Sequence, residues 1–237
     1  TMVLDSFLSD NMTGPSPGNG GGLHLTGAGD VYLERVRVTG NAASAEGGGV
    51  WNSITGTMSL SGVYVAGNRA SGALADQGGG GVFNDGGTLV IEGSQILSNV
   101  ADGALGSGGG VFNALGNLYI GSSTIARNTS IRAGGGVEAL QGTTTLDRVV
   151  LNLNATGTSP GNGGGFHLTG AGAVDITGST FVSNTASAEG GGLWNSSTGT
   201  MRVTTTTFRR NTAPVGAGVY NDGGSFTIDG VAVPVSP

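Results

Sequence analysis

The sequence predicts an all-β fold: a parallel β-helix of about eight coils, each of 26–32 residues with three short strands. Three observations predict it. Two anchors recur along the whole chain at nearly constant spacing. The apolar residues between them alternate with period two. Glycine supplies 50 of 237 residues, yet no Gly-X-Y period is present, which excludes collagen.

The first anchor is a run of small residues followed by an aliphatic residue or Phe. It precedes Leu23, Val50, Val82, Val111, Val137, Phe166, Leu193 and Val219, at spacings of 27, 32, 29, 26, 29, 27 and 26. The second is an apolar residue three positions before an Asn, at Asn11, Asn41, Asn68, Asn99, Asn128, Asn154, Asn184 and Asn211. From each first anchor to the following Asn the distance is 17 or 18 residues. From each Asn to the next first anchor it ranges from 8 to 14. One arc of every coil is therefore fixed and the other is free, so the variable loops are expected along a single edge of the rod.

Within the fixed arc, "TLVIEGSQILSN" (88–99) places Leu89 and Ile91 on one side of a strand and Ile96 after a turn. Met201, Val203 and Phe208 do the same in "TMRVTTTTFRRN" (200–211). Runs this short, separated by Gly, Ser and Thr, read as strands rather than helices. The interior is expected to hold Val50, Val82, Val111 and Val137 in one column and Leu60, Ile91, Ile120 and Leu146 in another. Glycine before the first strand admits a sharp bend and close backbone approach. The eight Asn residues are expected to point inward and stack as a structural ladder. A second ladder, Asn52, Asn84, Asn113, Asn195 and Asn221, is interrupted by Leu25, Ala139 and Leu168.

The chain reads as one domain over 1–237 containing a duplication. "SAEGGGVWNSITGTM" (44–58) returns as "SAEGGGLWNSSTGTM" (187–201), and "SPGNGGGLHLTGAG" (16–29) as "SPGNGGGFHLTGAG" (159–172), both at an offset of 143. "GVFNDGGTLVIEG" (81–93) matches "GVYNDGGSFTIDG" (218–230), so coils within 16–93 match coils within 159–230 as a repeated five-coil block. Stacked coils tolerate this because each contacts mainly its neighbours.

Hydrophobic residues make up 37 % of the chain, too many for a disordered glycine-rich linker. Nine Arg, no Lys and fifteen acids give a net charge of −6, which argues against nucleic acid and against an anionic membrane surface. No apolar run approaches the ~18 residues of a spanning helix. Cysteine is absent, so thiolate metal sites are excluded, and no cofactor or metal motif is found.

The paired anchors resemble the GGA[ILV] and FxxN repeats of polymorphic outer-membrane proteins. They are also similar to the "GGGIYN…GGTLTI…STISGNTA" repeats of bacterial surface and autotransporter-passenger proteins. The resemblance covers essentially the whole chain. It implies a right-handed parallel β-helix and a secreted or cell-surface bacterial protein. It does not imply one activity, because that fold carries adhesins, lyases and hydrolases alike. Glycine where the outer-membrane repeats have Ala, and the lack of Cys, place this chain nearer to secreted repeat proteins.

The expected function is a structural or adhesive stalk segment, with a pectate-lyase-like carbohydrate-active enzyme as the alternative. The enzyme needs clustered acids. The best local group, Asp30, Glu34, Arg35 and Arg37, does not continue onto the next coil, and Asp147 and Asp175 occupy different positions on their strands. Asp175 is expected to pair with Arg202. Thr-x-Thr occurs once among the outward pairs of the second strand, which argues against an ice-binding face.

The column His24, Trp51, Phe83, Phe112, Glu138, His167, Trp194 and Tyr220 admits His and Glu, so it is expected on the exterior. It reads as an exposed aromatic stripe, either stacked to stiffen the sheet or offered to a glycan or partner. The chain is expected to begin inside a second strand and to stop inside a third ("GVAVPV"), leaving its coils open to the rest of a longer β-helix or to end-to-end stacking of copies.

Overall fold

A computed structural model describes residues 1–237. It contains strands and no helix, and the strands stack in parallel as a β-solenoid of about eight turns. Sheet one holds eight strands, from Leu23–Leu25 through Val111–Asn113 to Val219–Asn221. Sheet two has ten, beginning at Met2–Leu4 and including Thr88–Glu92 and Thr200–Thr204. Sheet three has eight, from Phe7–Ser9 to Thr207–Arg209. Registers match the anchors: Val82 lies between Val50 and Val111, and Ile91 between Leu60 and Ile120.

A fourth sheet adds to the three expected. It is built from the two-residue strands Ala42–Ala43, Arg69–Ala70, Val100–Ala101, Thr129–Ser130 and Ala155–Thr156, each directly after a ladder Asn. The variable loops all run from this side of the coil to sheet one, so they share one edge of the rod.

One apolar cluster fills the interior along the rod. It contains the Val50, Val82, Val111, Val137 column, the Leu60, Ile91, Ile120, Leu146 column, and Val65, Ile96, Ile125, Leu151 and Phe181 behind sheet three. Full burial of such side chains contributes roughly 1.5–3 kcal/mol each. Thr144 interrupts a column otherwise filled by Met58, Leu89, Leu118 and Val174. Its hydroxyl accepts from Asn113 Nδ2 at 3.2 Å, where Ala139 breaks the second Asn ladder.

The triple glycine divides its work by position. Gly108 takes φ 64, a left-handed conformation. A Cβ on Gly109 would run into the carbonyl oxygens of Thr129 and Gly135, and one on Gly110 would press on the Asn128 amide. The coil thus bends at the first glycine and packs backbone against backbone at the next two.

The C-terminal segment departs from expectation. "GVAVPV" does not continue into a third strand. Val231–Ala232 turns back and pairs antiparallel with Ser225–Ile228, the one antiparallel pairing in the sheets.

Candidate functional site

The Asn ladder is a continuous bonded row. Asn11, Asn41, Asn68, Asn99, Asn128, Asn154 and Asn184 each direct the backbone N–H and Nδ2 to Oδ1 of the next Asn, ending on Asn211. The Nδ2 of Asn99 also donates to Val65 O at 3.0 Å, and the other interior members repeat that bond one coil back. All are buried except Asn11, in the first coil. The row is a corner device with its donors and acceptors consumed internally. A shorter hydroxyl row, with Ser94 Oγ accepting from Val63 N–H and Ser123 Oγ from Ser94 N–H, seals the preceding corner.

The aromatic column requires a correction. Its side chains point away from the solenoid interior, as the presence of His and Glu suggested, but they are not exposed. Phe83 and Phe112 are about as buried as the core, Trp51, Trp194 and Tyr220 retain at most 8 % exposure, and His167 3 %. Only His24, in the first coil, is half-buried. Trp51, Phe83, Phe112 and Ala114 form a second apolar cluster, with Leu140 packed against it. The rings stack coil on coil: Phe83 on Phe112 at 4.9 Å, His167 on Trp194 at 4.3 Å, Trp194 on Tyr220 at 6.1 Å. Each covers the face of its neighbour, and residues of the preceding loop and following turn close the sides. A sugar ring has no open face to stack upon.

The polar groups around this column come from the loops. Trp51 Nε1 donates to Glu46 Oε2 at 3.0 Å, and its duplicate Trp194 Nε1 donates to Glu189 Oε2 at 2.9 Å. Burial raises the Glu46 pKa above the usual carboxylate range. The Trp51 bond opposes that shift, and Asp85 and Asp76 reinforce it. Burial raises Asp85 as well. Tyr220 is raised by burial and by Glu189 and Asp222 beside it. Reading the column alone missed these Glu residues. The signal was present, since Glu stands five positions before Trp in both copies of the repeat.

Glu138 replaces an aromatic residue in mid-column, between Phe112 and His167 in register, and is fully buried. His167 Nδ1 lies 3.0 Å from its Oε2 and 3.2 Å from Oε1, with the better direction toward Oε1. The Thr169 hydroxyl donates to Oε1. Arg132 Nη1 reaches within 3.8 Å of Oε1 and donates to Ser107 Oγ. A buried carboxylate needs such partners, because its desolvation is otherwise uncompensated.

The acid groups weighed for an enzyme stay apart. Arg35 pairs with Asp5 and Glu34 on the surface, and its hydrogen bond holds the Asp5 carboxyl below its ordinary value. Asp147 lies opposite Thr177, and Asp175 opposite Thr145. Asp175 and Arg202 are register partners, yet they do not form the expected ion pair. On sheet two the Tyr119 hydroxyl sits 3.5 Å from Asp147 Oδ2. Burial raises the Tyr119 pKa, and Glu92 and Asp147 add to the shift.

The open concavities lie elsewhere: one of about 220 Å³ on sheet three, at Val182, Arg209 and Arg210, and two on sheet four beside the variable loops. One, of about 260 Å³, is lined by Val100, Asp102, Ser130, Ile131 and Thr156. A second, of about 160 Å³, is lined by Met12, Ala42, Arg69 and Ser71. The Arg69–Asp102 ion pair, Nε to Oδ2 2.6 Å, links the two. No known protein family, curated protein or solved structure matches this chain.

Proposed function

We propose that the chain is a rod segment of a secreted or cell-surface bacterial protein, of the kind found in autotransporter passengers and polymorphic outer-membrane proteins. It works as a stalk that presents its variable loops, and the shallow groove beneath them, to a surface glycan or protein. The observation that supports this reading is the division of every coil. Three sheets and an Asn ladder are held constant, while loops of different length leave one edge. A frame kept uniform while one edge varies suits a scaffold that holds contact loops at fixed height.

The test is binding of the purified chain to glycan and matrix-protein arrays, with turnover assays on uronate polymers in parallel. A retained ligand is expected. Its binding should weaken at least tenfold when the loop between Val100–Ala101 and Val111–Asn113 is cut to the length found before Val137. Depolymerisation of a uronate polymer would instead establish the carbohydrate-active enzyme. Absence of both binding and turnover would count against the adhesive role.

A further inference from the structure

At the corner between sheets two and three, each coil hands one backbone N–H to the next coil. Arg35 donates to Ser61 O, Gly62 to Glu92 O, Gly93 to Gly121 O, Ser122 to Asp147 O, Arg148 to Thr177 O and Gly178 to Thr204 O. Thr205 follows in this series. Since Val203 pairs with Ile228, its acceptor by register is the carbonyl of Asp229. That bond is not made. Asp229 and Gly230 both adopt left-handed conformations, φ 48 and 78, and turn the chain back on itself. Thr205 N–H is instead bonded by the side-chain Oδ1 of Asp229 at 2.8 Å. The carboxylate takes the place of the carbonyl that the turn has carried away.

The returning segment also satisfies groups of Asn221 and Phe226 that a ninth coil would meet. Val233 N–H donates to Phe226 O at 2.8 Å, and Ser236 N–H to Asn221 O at 2.9 Å. Asn221 N–H donates to Ser236 Oγ at 3.1 Å. Asn221 Nδ2, whose counterparts Asn52 and Asn84 donate to an Asn of the next coil, donates to Val233 O at 2.9 Å. The outward edge of sheet two and the Asn221 end of sheet one are therefore occupied at the eighth coil.

We propose that residues 229–236 are an edge guard, which covers the outward edge of sheet two and the Asn221 end of sheet one and hinders a second copy of this chain from adding strands there. A second copy is the partner excluded because the coils are self-complementary. Their Gly, Asn and aliphatic rows already pair with one another from coil to coil, so an open edge of this sequence fits another stretch of the same sequence. An unprotected row of N–H and C=O groups recruits such strands. This holds whatever ligand the loops bind.

Two sets of variants test it in the 237-residue chain. G230V/S236P disfavours the left-handed turn and removes both Ser236 contacts. By light scattering over a concentration series, it should reach about twice the monomer mass or more under conditions where the unmodified chain stays monomeric. A folded double variant that remains monomeric, or an unmodified chain that assembles equally, overturns the proposal. D229A and D229N test the stand-in carbonyl without releasing the strap. Thr205 amide exchange should be about tenfold faster in D229A, while D229N, which keeps Oδ1, should stay close to the unmodified chain. Equal protection in D229A overturns the role of Asp229, even if the double variant fails to fold.

Discussion

Asn99 and Asn128 are joined twice: the backbone N–H and Nδ2 of Asn99 both donate to the single Oδ1 of Asn128, at 2.9 and 3.0 Å. Asn128 Nδ2 at the same time donates to Ile96 O. Replacing Asn128 with Ala strands two buried donors and one carbonyl. Asn128→Ala, and likewise Asn99→Ala, is expected to destabilise by about 1–3 kcal/mol. Thr145→Ala, on the outer face of sheet two, should be close to neutral. Equal melting temperatures for the three would contradict a stabilising ladder.

The same contrast applies to charge. Arg132 faces a buried Glu138 carboxylate, whereas Arg148 meets Asp147 on the surface. Arg132→Ala is expected to cost about 1–3 kcal/mol, since it leaves a buried charge short of a partner. Arg148→Ala should cost about 0–1 kcal/mol. Urea titrations of both variants check the ordering, and a larger loss for Arg148→Ala would reverse it.

Leu153 holds φ 55 just before Asn154, a position filled by Gly at 40 and 67, and the residue is 43 % exposed. The strain of a left-handed Leu is of order 1–2 kcal/mol, and little apolar burial is lost on removing it. Leu153→Gly is therefore expected to raise stability by about 0.5–1 kcal/mol net of the entropy of glycine. Leu153→Ala, which keeps Cβ, should not. Gly109→Ala at a neighbouring corner should be among the most damaging single changes, because backbone oxygens on two sides cannot withdraw. A thermal melt of the three variants tests both signs.

The frame was legible because its cause is periodic. An anchor at every coil fixes strand order and register, and Leu89, Ile91 and Ile96 declare their inward faces by alternation. Four features were not read. The strands of sheet four are two residues long, too short for alternation to show. The aromatic column gives direction but not cover: Phe112 points outward and is still fully buried, because neighbouring rings and loop residues close around it. The C-terminal segment was read from the coil template alone. Asp229-Gly230 between β-formers is a strong local signal for a hairpin, and it overrode the template. Glu138 was seen only as a break in the aromatic column. Its partners Arg132 and Thr169 come from other segments, and nothing in spacing joins them.

Trp51 and Trp194 are the two tryptophans of the chain, so selectively excited tryptophan fluorescence reports on the buried column alone. Both indoles are nearly covered and bonded to a Glu. Iodide should quench the native chain several-fold less than the urea-unfolded chain. Comparable quenching in both states would restore the exposed stripe that the sequence suggested.

Glu46 carries the pH dependence of this column. Its carboxyl is raised, chiefly by burial, so the folded chain binds that proton more tightly than the unfolded chain does. By linkage, the contribution is fully present below the ordinary carboxylate pKa and is lost as pH rises through the raised value of Glu46. Asp85, also raised by burial, acts in the same sense. Glu46→Gln keeps an oxygen acceptor for Trp51 Nε1 and removes the titration. It should be more stable than the unmodified chain at pH 7, with the difference shrinking as pH falls toward 4.5. Opposing groups such as Asp5, which is lowered by Arg35, are common to both proteins and cancel in the comparison. Melting curves of the pair from pH 7 to pH 4.5 provide the measurement, and parallel pH profiles would show that Glu46 is not the titrating group.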